Sequence, residues 1–437
     1  DRNTLEEVLK DLECPFTWNI NQIVTSKNMI HYLLEKGAVT SDDIEDHEKY
    51  FSWNYFNNDT ALSYLLTMNG QNTEATEIIE DLKLKYLRLQ ESKSTECLCE
   101  KIKASIWHVL SASEIFIFLK SDSKTINEKH KFVKDALLNI KSFSNMTNEE
   151  KAGVCGMKSA MFAFFGHEGN IIALDEAKAA RDLDPQMAEW WHMIGKYMGR
   201  IRRINARSDC VDKEEIKVLE KAIELDSYNP RYRVFLAQVY RECAAAAFLR
   251  FKNEINFKTH ELGDFIKQLN QKSLDLYLQS IEDMSHCSKT LSRCAIGIVK
   301  LPKQFNIKHL NVAEKAIIKS LEINPNNGYV QHVAGMFYRK DGEFQNLEKA
   351  LYHFEKASEM KNFPSSLDLM RLKCYLNPDH DPYADLMKLN TVYIEEYARI
   401  QLTCHIGSYY MFKKRDIVTA IQYFNEVLEK DQALLLK

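Results

Sequence analysis

Apolar residues recur along this chain at intervals of three and four, and they do so in paired blocks. Ala173, Ala177 and Ala180 precede Pro185, and the next block, Trp191 to Met198, reads W-x2-I-G-x2-M. Ala313, Ile317, Ser320 and Pro325 repeat the first spacing; Ala334, Gly335 and Tyr338 then precede Ala350, Phe354 and Ala357. Near the end, Gly407 and Tyr410 precede Ala420, Phe424 and Val427, and in the middle Ile216 to Leu225 is followed by Leu236, Ala237 and Tyr240. One such block is what any amphipathic helix shows. Five that agree predict pairs of antiparallel helices, in which small residues on one helix let the large residues of the next approach closely. These spacings are those of the tetratricopeptide repeat.

A repeat of this kind cannot bury its apolar face alone, so neighbouring repeats stack and present a long inner surface to ligands. The expected fold is therefore all-α, a tetratricopeptide-repeat helical solenoid (a superhelix) with extra helices, enclosing a basic groove or pocket. The period is irregular, with an insertion around Ile204 to Asp212 and a long helical stretch from Arg233 to Phe257. Three regions are expected: acidic helical repeats over 1–150, central basic repeats over 151–305 forming most of the pocket, and C-terminal tetratricopeptide repeats over 306–437. The last of these lacks an obvious polar capping helix, which points to truncation or an oligomeric contact.

Composition narrows the alternatives. Among 437 residues, 45% are hydrophobic and 27% charged, enough for an extended core. Only 14 Gly and 8 Pro leave little room for the turn density of a sandwich or barrel, and no sustained period-2 alternation occurs. No run approaches the roughly 18 apolar residues that span a bilayer, and the first 30 residues show no apolar signal core. The expectation is a soluble, intracellular protein without a membrane partner. Of the 10 Cys, only Cys97 and Cys99 stand close together, with no second pair at zinc spacing, so no metal or other cofactor is expected. The sequons at Asn58 and Asn145 carry no weight without a secretory signal. Phosphate-loop, dinucleotide and nucleophile-elbow motifs are missing from the chain, and a binding protein is expected rather than an enzyme.

Charge distribution says more than the net charge of -4. Asp42, Asp43, Glu45, Asp46 and Glu48 make the first hundred residues acidic. The middle reverses this with Lys196, Arg200, Arg202, Arg203 and Arg207, then Arg231, Arg233, Arg241, Arg250 and Lys252 among Tyr228, Tyr232, Tyr240, Phe248 and Phe251. Cations neutralise phosphates and rings stack on unpaired bases, so this interleaving suits single-stranded nucleic acid. The same residues also suit a merely solvated convex face.

The segment Leu12-Glu13-Cys14-Pro15-Phe16-Thr17-Trp18-Asn19 resembles the L-E-C-x-F-T-W-N signature of the interferon-induced proteins with tetratricopeptide repeats, the IFIT family. Leu65-Leu66 through Gly70-Gln71-Asn72, Tyr232 to Ala237, and Asn324 to Tyr338 are similar to further family segments, so the resemblance extends over most of the chain as a divergent member. It implies a cytoplasmic antiviral protein of innate defence whose repeats hold the 5′ end of single-stranded RNA, a 5′-triphosphate or an incompletely methylated cap, and not DNA.

Carried over residue by residue, the resemblance places RNA contacts at Arg200, Arg293, Lys300 and His332, with Arg231 and Arg233 beside a family tyrosine and lysine. Departures bear on the cap. Ala160 stands where cap-binding members carry a stacking tryptophan and Phe164 where they carry a lysine. Cys294 replaces a family tyrosine and Val333 a glutamine. Phe162, Phe164, Phe165 or Trp190 would have to supply a ring, although aromatic residues on repeat helices usually pack the core. A 5′-phosphate survives these departures better than a cap. The alternative function is a protein-interaction scaffold, with protein partners or self-association through the repeats.

Overall fold

The computed structural model describes residues 9–23, 29–30, 33, 53–91, 101–121, 124–204, 212–251, 261–283, 287–393 and 396–435. Among them the regular structure is helical throughout, in order α1 (Trp53–Met68), α2 (Asn72–Glu91), α3 (Lys103–Lys120), α4 (Ile126–Leu137), α5 (Asn148–Phe162), α6 (Gly166–Leu183), α7 (Ala188–Ile204), α8 (Lys213–Leu225), α9 (Pro230–Phe251), α10 (Glu261–Asp283) and α11 (Ser288–Val299). After one helical turn at Lys303–Asn306 follow α12 (Leu310–Ile323), α13 (Gly328–Arg339), α14 (Leu347–Glu359), α15 (Phe363–Leu376), α16 (Tyr383–Val392), α17 (Glu396–Tyr409) and α18 (Ile417–Leu435). The acidic cluster at 42–48, the Cys97/Cys99 pair, Arg207 and Lys252 lie outside the described residues. The chain forms two compact units, Asp1–Ala316 and Ile317–Lys437.

Successive helices pair as the spacings require: α1 with α2, α5 with α6, α7 with α8, α9 with α10, α13 with α14 and α17 with α18. The close approach depends on glycine. A Cβ on Gly195 would stand 2.5 Å from Leu219, one on Gly335 2.6 Å from Phe354, and one on Gly407 2.8 Å from Phe424. In each case a glycine on the first helix of a hairpin receives a large side chain from the second. Trp190, fully buried, likewise lies over Gly156 of α5.

The turns repeat as well. Trp191 donates its indole N–H to the Pro185 carbonyl at 2.9 Å, and Gln331 donates its amide to the Pro325 carbonyl at 2.7 Å. Both donors sit six residues past the proline and tie the new helix to the turn before it. Helix starts carry the expected caps. Thr147 and Glu150 form a capping box on α5, while Asp212, Asn327, Asn346 and Asn362 cap α8, α13, α14 and α15 through side-chain oxygens.

The N-terminal segment that carries the family resemblance is a structural clasp. Leu12 and Cys14 are buried with Ala112, Ile115 and Val133. The Glu13 amide donates to Nε2 of buried His108 at 2.9 Å, and His108 Nδ1 lies 2.8 Å from the Lys141 carbonyl. Trp18 closes back on Glu13 at 2.6 Å. Burial pushes the Cys14 thiol up to about 12, so it behaves as a small apolar group.

Candidate anion-binding site

On α7, Glu189, His192, Lys196 and Arg200 are spaced by three, four and four residues, which puts them on one face of the helix. The other face carries Trp190, Met193, Ile194 and Tyr197, all buried. Burial of that apolar face fixes the rotation of α7 and therefore where its charged groups point. Tyr197 is shared: Lys196 Nζ stands 5.3 Å and the Arg200 guanidinium 5.6 Å from its ring centre.

Two further helices complete the cluster. From α9, the Tyr232 hydroxyl donates to Glu189 at 2.9 Å. The His192 ring sits 4.8 Å from both Tyr232 and Phe235, and its Nδ1 is 3.5 Å from Glu189. From α11, the Arg293 guanidinium lies 4.9 Å over Phe235. Three helices, α7, α9 and α11, therefore bring Arg200, Arg231 and Arg293 to bear on Lys196, and Lys196 and Arg231 also act on buried Glu189.

Ionisation in the cluster follows from that crowding. Burial works against the charge on Glu189, but His192, Arg231 and Lys196 outweigh it and hold the carboxyl at about 2. Burial pushes His192 down, with Glu189 opposing and Arg231 and Lys196 adding to the shift. Lys196 is driven well below the usual lysine range, first by burial and then by Arg200, Arg231 and Arg293, against which Glu189 pulls the other way. Positive groups outnumber the negative one, and a guanidinium presents paired donors that match phosphate oxygens.

The other expected contacts have partners of their own. Arg233, 5% exposed, forms an ion pair with Asp283 and donates to the Ser227 carbonyl at 2.9 Å, so it braces the start of α9 against the end of α10. Lys300, just past α11, is pushed down by burial and by Arg241, with Glu242 opposing. It adjoins a mixed-charge network in which Arg202 meets Glu215 at 2.9 Å and Glu242 at 2.6 Å, with Arg203 also 3.3 Å from Glu242. His332 belongs to the second unit, where it is buried with Nδ1 2.7 Å from the Ser365 hydroxyl. Phe162, Phe164, Phe165 and Trp190 are all core residues.

In the sequence Lys196 is only one cation in a run and Tyr232 one ring among several, and nothing there singles out Glu189, His192 or Phe235. A signal was available in the 189, 192, 196, 200 spacing. The pairing of Glu189 with Tyr232, 43 residues away, had none.

The fold is that of an all-α tetratricopeptide-type helical solenoid. Among solved structures, the human IFIT1 dimer with m7Gppp-AAAA is similar at TM-score 0.60 and 16% identity, over 98% of this chain and 86% of that one. The human IFIT1 dimer with PPP-AAAA gives 0.59 and 15% over the same shares. A monomeric IFIT1 mutant with Gppp-AAAA gives 0.61 and 15%, over 98% and 87%. No protein-family model matches the chain, and no curated protein matches its sequence.

Proposed function

We propose that this protein binds the 5′ end of single-stranded RNA, with the terminal phosphates held by Lys196, Arg200, Arg231 and Arg293. The observation that carries this reading is the gathering of Lys196 with Arg200, Arg231 and Arg293 from α7, α9 and α11, beside buried Glu189. Structures of similar fold include IFIT1 with triphosphorylated and capped oligoadenylates, which supports an RNA end as the anion. The burial of Phe162, Phe164, Phe165 and Trp190 in the core favours a phosphate over a stacked cap. Arg233 and His332 are left out of the contact set because Asp283 and Ser365 engage them. Lys300 is assigned a peripheral role, along the RNA beyond its end. On this reading the protein is a non-enzymatic sensor in cytoplasmic antiviral defence.

The test is binding of one short single-stranded RNA carrying 5′-OH, 5′-triphosphate or a cap, by the wild type and by an Arg200→Glu/Arg293→Glu variant, across a salt series. Preference for the 5′-triphosphate, lost on charge reversal, is the expected result. The affinity should fall with salt at a log-log slope of about -0.7 per phosphate neutralised. Equal binding of all three RNAs, or by both proteins, would return the repeats to the role of a protein-interaction scaffold.

A further inference from the structure

In the second unit, side chains of α13, α15 and α17 form a charged ladder that has no part in the cluster on α7. Its first rung is neutral: His332 Nδ1 on α13 lies 2.7 Å from the Ser365 hydroxyl on α15. Further along the same two helices, Arg339 Nη1 donates to Asp368 Oδ1 at 2.9 Å. Arg371 of α15 donates from Nη1 to the same oxygen at 3.2 Å, and its Nη2 stands 3.3 Å from Nε2 of His405 on α17. A guanidinium carries donors only, so that histidine nitrogen accepts and the ring is neutral, with its hydrogen on Nδ1.

Two guanidinium groups thus share one carboxylate. Asp368 is the only carboxylate paired with either of them among the described residues, which leaves one positive charge over. Asp368 is buried, whereas the Arg339 and Arg371 side chains are 37% and 53% exposed. Arg339 is braced further by the Phe354 ring, whose centre is 5.4 Å from its guanidinium. An arginine that is half exposed and already held at both Nη atoms has given up its rotamer freedom before any ligand arrives, and an oxyanion gains from donors fixed in advance. Tyr375, 71% exposed, lies four residues beyond Arg371 and therefore on the same face of α15.

We propose that this face of the second unit binds an acidic peptide segment of a protein partner, with one peptide carboxylate between Arg339 and Arg371 and a neighbouring apolar side chain of the peptide against Tyr375. This goes beyond the RNA-end reading and does not depend on it. The alternation of charge favours a peptide over nucleic acid. A phosphate chain brings a charge with every nucleotide and is repelled by Asp368 at the centre of the ladder, whereas a single carboxylate needs only the one unbalanced charge and a matching fork of donors.

The experiment is fluorescence anisotropy of a labelled peptide of about nine residues repeating Glu-Gly-Leu, titrated with the full chain, beside its uncharged counterpart repeating Gln-Gly-Leu. The acidic peptide should bind about tenfold or more tightly than the uncharged one, as hydrogen bonds to a charged group imply. Arg371→Gln should weaken the acidic peptide by about tenfold. Tyr375→Ser, at an exposed position that the fold does not need, should weaken it severalfold, and a normal thermal midpoint in both variants shows that they are folded. Arg200→Glu/Arg293→Glu should bind the peptide as the wild type does, and Arg371→Gln should keep the wild-type discrimination among RNA 5′ ends. No binding of the acidic peptide, equal affinity for the two peptides, or unchanged affinity in both Arg371→Gln and Tyr375→Ser overturns the inference. So does displacement of the acidic peptide by a 5′-OH single-stranded RNA, which would make the ladder a nucleic-acid contact. Peptide binding without any discrimination among RNA 5′ ends would leave this inference standing and sink the RNA-end reading alone.

Discussion

The hydroxyl of Tyr232 donates to the carboxylate of Glu189 across 2.9 Å, tying α9 to the first turn of α7 where the cations gather. Both residues are buried, and Glu189 is held ionised at about 2. A buried carboxylate that keeps its charge needs donors, and Tyr232 is the neutral one. Tyr232→Phe removes that donor and leaves Glu189 more dependent on Arg231 and Lys196. The expected cost is about 1–3 kcal/mol of stability, as for an unsatisfied buried group. A weaker affinity for anions should accompany it, as Glu189 draws more on the cations that would meet the ligand. Thermal unfolding and RNA binding of the variant check the two halves separately.

The hairpin glycines set a second expectation. Alanine in a helix is favoured over glycine by about 1 kcal/mol, yet at Gly195 and Gly335 the added methyl overlaps Leu219 and Phe354 at 2.5 and 2.6 Å. Overpacking of that kind costs about 1–3 kcal/mol, so the steric loss outweighs the propensity gain. Gly195→Ala and Gly335→Ala should each lower the thermal midpoint; an increase in either would show that the hairpin yields more easily than its packing indicates.

His108 makes the N-terminal clasp sensitive to acid. Since the Glu13 amide donates to Nε2, the ring is neutral and carries its hydrogen on Nδ1, directed at the Lys141 carbonyl. Burial pushes the histidine below its ordinary value of 6.5. The unfolded chain therefore binds a proton that the folded chain refuses, and acid favours unfolding. Stability from this group is complete above about pH 6.5 and falls below it, by up to about 1.4 kcal/mol per pH unit, until the folded histidine itself titrates. His108→Gln, which keeps an acceptor for Glu13, should be less steep between pH 7 and 5; an unchanged slope would place the acid sensitivity elsewhere.

Arg202 and Arg203 are neighbours with unequal roles. Arg202 is 8% exposed and bridges Glu215, itself 1% exposed, to Glu242, joining α7, α8 and α9. Removing it in Arg202→Met strands a buried carboxylate and should destabilise by about 3–5 kcal/mol. Arg203 is 38% exposed and shares Glu242 Oε2 with Arg202 at the longer distance of 3.3 Å, so Arg203→Met should cost less than about 1 kcal/mol. Denaturant unfolding of the two variants side by side tests the difference.

The one-dimensional pattern by itself determined the helical pairs and their turns. Small residues at Gly195, Gly335 and Gly407, large ones at Leu219, Phe354 and Phe424, and prolines at 185 and 325 are local requirements of two helices in contact, and a spacing of three and four records them. It also located Arg200 and Arg231 as cations in a basic region, while Arg293 was singled out only by the family resemblance. Which of those cations share a site was decided only by tertiary structure, because charge partners are chosen across hairpins. Arg231 and Arg233 are two residues apart, yet the first acts on Glu189 and Lys196 from α7 while the second is taken by Asp283, 50 residues away. Lys196 looks like any lysine in a run of basic residues. Its proton affinity is lowered first by burial and then by three arginines contributed by three helices, and both effects depend on distances that sequence separation does not encode.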